Sequence, residues 1–118
     1  MVTAIKWVPE KPNLFIEGSE DLTLRMWDVK QRPFKPALEI KVGTNFITSS
    51  DVFLSDNDAI LLATGHRGFN NEGAEVKLWD LRSFSIESKP LFTHSEHLFT
   101  PESVRFLDSS LLVSASKD

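Results

Sequence analysis

Leu22-Thr23-Leu24-Arg25-Met26-Trp27-Asp28 and Glu75-Val76-Lys77-Leu78-Trp79-Asp80 are two copies of one pattern. Each alternates apolar and polar residues, as a strand with one covered face does. Each ends in Trp-Asp followed by an aliphatic residue, Val29 or Leu81. A strand pattern repeated intact marks an internal repeat, and the repeat decides the fold.

The repetition extends upstream. Leu14-Phe15-Ile16-Glu17-Gly18-Ser19-Glu20-Asp21 precedes the first Trp-Asp, and Ile60-Leu61-Leu62-Ala63-Thr64-Gly65-His66-Arg67 precedes the second. Leu111-Leu112-Val113-Ser114-Ala115-Ser116-Lys117-Asp118 repeats the stretch a third time. Aligned, Glu17, Thr64 and Ser114 fall in one column, 47 and 50 residues apart. Earlier still lie Ala4–Pro9, Ser50–Ser55 and Ser103–Asp108.

These motifs resemble the WD40 repeat, a four-stranded blade of a β-propeller, over the whole chain. Periods of this repeat are about 40–45 residues. The second copy exceeds that because the turn from Gly65 to Ala74 is long. The resemblance implies an all-β fold, a partial propeller of four-stranded antiparallel blades: blade 1 over residues 2–45, blade 2 over 46–94 and half of blade 3 over 95–118. Strands are expected at Thr3–Val8, Leu14–Gly18, Thr23–Trp27 and Ala37–Val42. They are expected again at Ile47–Leu54, Ile60–Gly65, Glu75–Leu81, Leu91–Thr93, around Glu102–Leu107 and at Leu111–Ser116. The apolar runs Leu14-Phe15-Ile16 and Ile60-Leu61-Leu62-Ala63 suit strands covered on both faces. Asp56-Asn57-Asp58 has the chemistry of a turn. Propellers close with typically 4–8 blades, so the resemblance implies a piece of a longer intracellular protein. Alone, such a piece is expected to self-associate through faces meant for burial.

In that family the Trp indole donates to a strand hydroxyl, which bonds a His oriented by a turn Asp. Carried over, the structural residues are Trp27 and Asp21 in copy one, Trp79 and Thr64 in copy two, and His97, Ser114 or Ser116, and Asp118 in copy three. No copy is complete: Glu17 replaces the hydroxyl of copy one, and Gly43-Thr44 stands where copy two needs Gly-His. Trp7 lies outside the set and is expected to matter less.

Composition narrows function. The formal net charge is −4, against the basic footprint of nucleic-acid binders. There is no cysteine, hence no disulfide framework or thiolate metal site, which weakly favours a reducing cytoplasmic or nuclear setting. No apolar run reaches the ~18 residues of a membrane span. His94 and His97 flank Glu96, but no further ligands complete a zinc set. Ser114, His97 and Asp118 spell a hydrolase triad without a nucleophile elbow, and five glycines form no phosphate-binding fingerprint. The sequence therefore points to no enzyme, no cofactor and no metal. It points to a protein-binding scaffold, the alternative being an RNA-associated assembly subunit using the basic linker Lys30–Pro36. The partner-binding candidates are Arg67 and Phe69 in the 65–74 insertion, residue types that anchor interfaces.

Overall fold

In the computed structural model the described residues are 1–43, 45–55, 59–69, 72–81, 90–108 and 110–118. Ten strands follow in order: β1 Val2–Trp7, β2 Leu14–Ser19, β3 Thr23–Asp28, β4 Pro36–Lys41, β5 Ile47–Leu54, β6 Ile60–His66, β7 Val76–Asp80, β8 Phe92–His94, β9 Pro101–Asp108 and β10 Leu111–Ser116. They form two four-stranded sheets, β1-β2-β3-β4 and β5-β6-β7-β8, and a two-stranded sheet of β9 and β10. Every pairing is antiparallel between consecutive strands. The fold is all-β, with antiparallel four-stranded sheets of the blade type. Thr44, Asp56-Asn57-Asp58 and Asn70-Asn71 lie outside the described residues.

The strands follow from the alternation noted above. In β3, Leu24 and Met26 share one face and Arg25 and Trp27 the other, because successive side chains point to opposite sides. The β2–β3 turn is held by Asp21, whose carboxylate accepts the Thr23 backbone N–H at 3.0 Å.

The three sheets stack in chain order. Between the first and second lies the larger core: Val8, Ile16, Leu24, Ile40 and Val42 against Ile47, Val52, Leu62, Trp79 and Leu81. Between the second and third, Ala63 and Val76 meet Val104, with Phe106 and Leu112 packed against them. The second sheet is thus covered on both faces, and Leu62, Ala63 and Thr64 are wholly buried. Fully burying an aliphatic side chain stabilises by roughly 1.5–3 kcal/mol, so the middle sheet dominates the packing energy. Gly65 belongs to this close stacking. A Cβ there would stand 2.4 Å from Ser49 Oγ and 3.1 Å from the Pro101 carbonyl oxygen.

One expectation needs correction. Leu14-Phe15-Ile16 is not covered twice. Ile16 faces the second sheet and is buried. Phe15 points the other way, where it stacks on Trp27 and meets Trp7 edge to face. An apolar run reports burial by any neighbour, here aromatic side chains of the same sheet.

Candidate functional site

The repeated column can be followed through the three sheets. In the second sheet Leu62 on β6 pairs with Trp79 on β7. The Trp79 indole N–H donates to Thr64 Oγ1 at 2.9 Å. Thr64 Oγ1 lies 2.9 Å from His66 Nε2, and His66 Nδ1 lies 2.9 Å from the Asn45 carbonyl oxygen. A carbonyl only accepts, so Nδ1 carries the proton and Nε2 accepts the Thr64 hydroxyl. Burial drives the His66 pKa down to about 4, with the Lys77 charge adding to the effect. The imidazole is therefore neutral at pH 7.

His66 was missed in the sequence, which assigned it to the insertion. It instead ends β6, two residues after Thr64 and hence on the same face. That parity was readable; it was obscured because the resemblance places the His in the loop before the blade.

In the first sheet Glu17 fills the hydroxyl column. Its carboxylate accepts the Trp27 indole N–H at 2.6 Å. Arg25 stands beside it at 3.6 Å and also pairs with Asp21 and Glu39, each at 2.7 Å. Asp21 is thereby tied to Thr23 and Arg25, and those hydrogen bonds, Thr23 first, hold its carboxyl well below the usual range.

In the third sheet His97 Nε2 lies 2.9 Å from Ser114 Oγ, and Nδ1 lies 3.2 Å from Asp118 Oδ1. Asp118 also accepts backbone N–H groups of Leu98 and Phe99; the Leu98 bond leads in lowering its pKa. Ser116 donates instead to the Phe99 carbonyl at 2.9 Å, so Ser114 is the residue facing His97. The ring of His94 stands edge to face against that of His97 at 5.5 Å.

These three residues have the connectivity of a hydrolase triad. The second sheet supplies the comparison: there the corresponding hydroxyl is capped by an indole and buried.

The insertion is shorter than the sequence suggests, since Gly65 and His66 are strand. Beyond Arg67, Phe69 and Glu72 pair as an isolated antiparallel bridge. Phe69 N–H donates to the Glu72 carbonyl at 2.8 Å, and Glu72 N–H to the Phe69 carbonyl at 3.0 Å. Gly73 follows at φ +77°, which glycine adopts without strain. Gly68 N–H donates to Thr100 Oγ1 at 3.0 Å, tying this segment to the loop before β9. Arg67 lies over the Phe46 ring, 5.7 Å from its centre. Phe69 is 65% exposed and stands outside the core.

The basic linker lies elsewhere, between β3 and β4. Arg32 donates to the carbonyls of Val29 and Gln31 at 3.0 and 2.9 Å. Phe34 stacks on Trp27 with ring centres 4.9 Å apart. The result is an aromatic row, Trp7, Phe15, Trp27 and Phe34, across the outer face of the first sheet.

No family model matches the chain. It is similar to Protein SPA1-RELATED 3 of Arabidopsis thaliana, 32% identical over 107 residues that make up 91% of this chain and 11% of the relative. It is also similar to the protein phosphatase PP2A 55 kDa regulatory subunit of Drosophila melanogaster, 28% identical over 102 residues, 82% of this chain and 20% of the relative. The chain spans between a tenth and a fifth of the length of these relatives.

Proposed function

We propose that the chain is a WD40-type segment of a larger intracellular protein, cytoplasmic or nuclear, that binds other proteins and performs no catalysis. The repeated Trp-Asp strands, the stacked four-stranded sheets and the two relatives support the family reading. One relative is named a regulatory subunit of a protein phosphatase.

The observation that carries the binding role is the segment Arg67–Phe69, bridged to Glu72. It presents an exposed phenylalanine beside an arginine on a backbone clamped at both sides. Exposing a phenylalanine forgoes the burial energy of a large aromatic, and aromatic and arginine anchors dominate interface energetics. The basic linker is the weaker candidate, because Arg32 spends two donors on its own chain.

The test is partner recovery from cell extract with the full-length protein and its Arg67→Ala/Phe69→Ala variant. Capture should weaken by about 2 kcal/mol or more. The melting temperature should hold, since surface changes usually stay within about 0.5 kcal/mol. Unchanged recovery would reject this segment as the binding surface.

A further inference from the structure

The matching turns of the first two sheets differ in where their hydrogen bonds go. In the first sheet Ser19–Leu22 bonds within its own sheet. Glu20 N–H donates to the Met1 carbonyl at 2.9 Å, and the Leu22 carbonyl accepts the Val42 N–H at 3.0 Å. In the second sheet the longer segment from Arg67 to Ala74 reaches outward on both sides. Arg67 N–H donates to the Phe46 carbonyl at 3.0 Å, in the loop that enters β5. Gly68 N–H donates to Thr100 Oγ1 at 3.0 Å, in the loop that enters β9. A Cβ on Gly68 would stand 2.8 Å from the Ala74 Cβ and 3.3 Å from the Thr100 nitrogen, so the fit leaves no room for a side chain there.

Beyond Thr100, β9 is fastened to the second sheet at two more points. The Ser49 and Thr48 hydroxyls donate to the Pro101 carbonyl at 3.1 and 3.4 Å. The register of β5 shifts between Ile47 and Ser49, and such an irregularity re-aims side chains, here two neighbours onto one acceptor. Farther along, Asp51 Oδ2 accepts the Phe106 N–H at 2.8 Å. At about 3.3 Å per residue, Pro101 and Phe106 stand some 16 Å apart on one strand. Local openings in proteins run in cooperative units rather than bond by bond. A fastening lost at one end of β9 therefore loosens the fastening at the other.

We propose that the segment Arg67–Ala74 is a latch on the joint between the second and third sheets, with the Thr100 hydroxyl as its catch. The exposed Arg67–Phe69 stretch and β9 open and close as one unit. Whatever steadies the stretch tightens the joint, and a joint held shut steadies the stretch, because coupling between two sites is reciprocal. This goes beyond the binding reading and does not rest on it: the latch operates with no partner present.

Amide hydrogen exchange of the full-length protein tests it, read at Gly68 and Phe106. The Thr23 amide, bonded to Asp21 in the matching turn of the first sheet, is the reference. Asp51→Ala removes the acceptor far along β9; Asp51 pairs with Ala63, well down the sheet from Gly68. Exchange at Gly68 should nonetheless rise about fivefold, the effect of one net hydrogen bond, while Thr23 holds its rate. Asp51→Asn keeps an acceptor oxygen and should leave Gly68 protected. In the other direction, Thr100→Val keeps the shape, removes the hydroxyl and should speed Phe106 by a similar factor. Thr100→Ser should restore the parental rate. The latch is overturned if Asp51→Ala leaves Gly68 at its parental rate, or if Thr100→Val speeds Gly68 alone. Equal acceleration at Thr23 overturns it too, because that reports a general loosening of the fold rather than the opening of one joint.

Discussion

The first and second sheets are built on the same sequence pattern and differ in what surrounds it. In the second, Trp79 is sealed between sheets and its N–H ends in a neutral chain of Thr64, His66 and a backbone carbonyl. Lys77, on the same strand face, is 8% exposed and donates to the Val42 carbonyl at 2.7 Å. In the first, Trp27 is half-buried and its N–H ends on a carboxylate beside Arg25. Arg25 holds the position of Lys77 but turns to three acidic side chains of its own sheet. On the outer face each of these charges has a partner: Glu17 lies 3.6 Å from Arg25, which also pairs with Asp21 and Glu39. Between sheets an unpaired charge would cost several kcal/mol, so the column there is neutral and fully bonded. The lesson is that burial sets the chemistry of the Trp partner, and the Trp-Asp motif does not.

The largest effect that separates the two sheets is loss of the tryptophan. Trp79→Ala should cost about 3–5 kcal/mol, as for large aromatics in cores. Trp27→Ala should cost about 1–2 kcal/mol, because its ring keeps solvent on one side. Denaturant melts of the two variants check this. Equal losses would mean that the outer face of the first sheet is covered in solution, and the comparison would fail.

Acid distinguishes them next. His66 is neutral in the folded chain with its pKa lowered from 6.5 to about 4, while the unfolded chain protonates it near the ordinary value. A histidine with a depressed folded pKa gives stability that is fully present above the unfolded pKa. It is lost as pH falls, because the unfolded state binds the extra proton. The window runs from about 6.5 down to about 4 and is worth of order 3 kcal/mol. Asp21 adds little slope there: its contribution falls only below the ordinary carboxylate range, where the unfolded chain takes up the proton while the folded carboxylate stays ionised. Chemical melts from pH 7 to 4.5 measure the slope, and His66→Gln should flatten it. A flat profile for the parent chain would mean that His66 reaches water.

Most strands were legible because alternation and turn chemistry are local. β5 and β10 fall where the pattern puts them, and the other strands shift by a residue or two at their ends. Three things were not read from it. The surroundings of Phe15 are set by Trp7 and Trp27. His66 was masked by the loop position that the resemblance gives to histidine. The choice between Ser114 and Ser116 required knowing which of them reaches His97 and which reaches the Phe99 carbonyl.

The smallest expected effect is the most direct exchange between the two sheets. Glu17→Thr places in the first sheet the residue that the second uses. The register is the same, since Glu17 pairs with Arg25 as Thr64 pairs with Lys77, so a threonine hydroxyl can still accept the Trp27 N–H. What is lost is one carboxylate near Arg25, which keeps Asp21 and Glu39 at 2.7 Å. Ion pairs with solvent access contribute about 0–1 kcal/mol, so the variant should lose less than about 1 kcal/mol. The loss should shrink further at high salt, where such pairs are screened. The reverse change, Thr64→Glu, would bury a charge with no cation to match it beyond Lys77, and should cost several kcal/mol. Melts of both variants at low and high salt decide the point. If Glu17→Thr is as damaging as Thr64→Glu, the carboxylate is buried by something on the outer face, and the two sheets are alike after all.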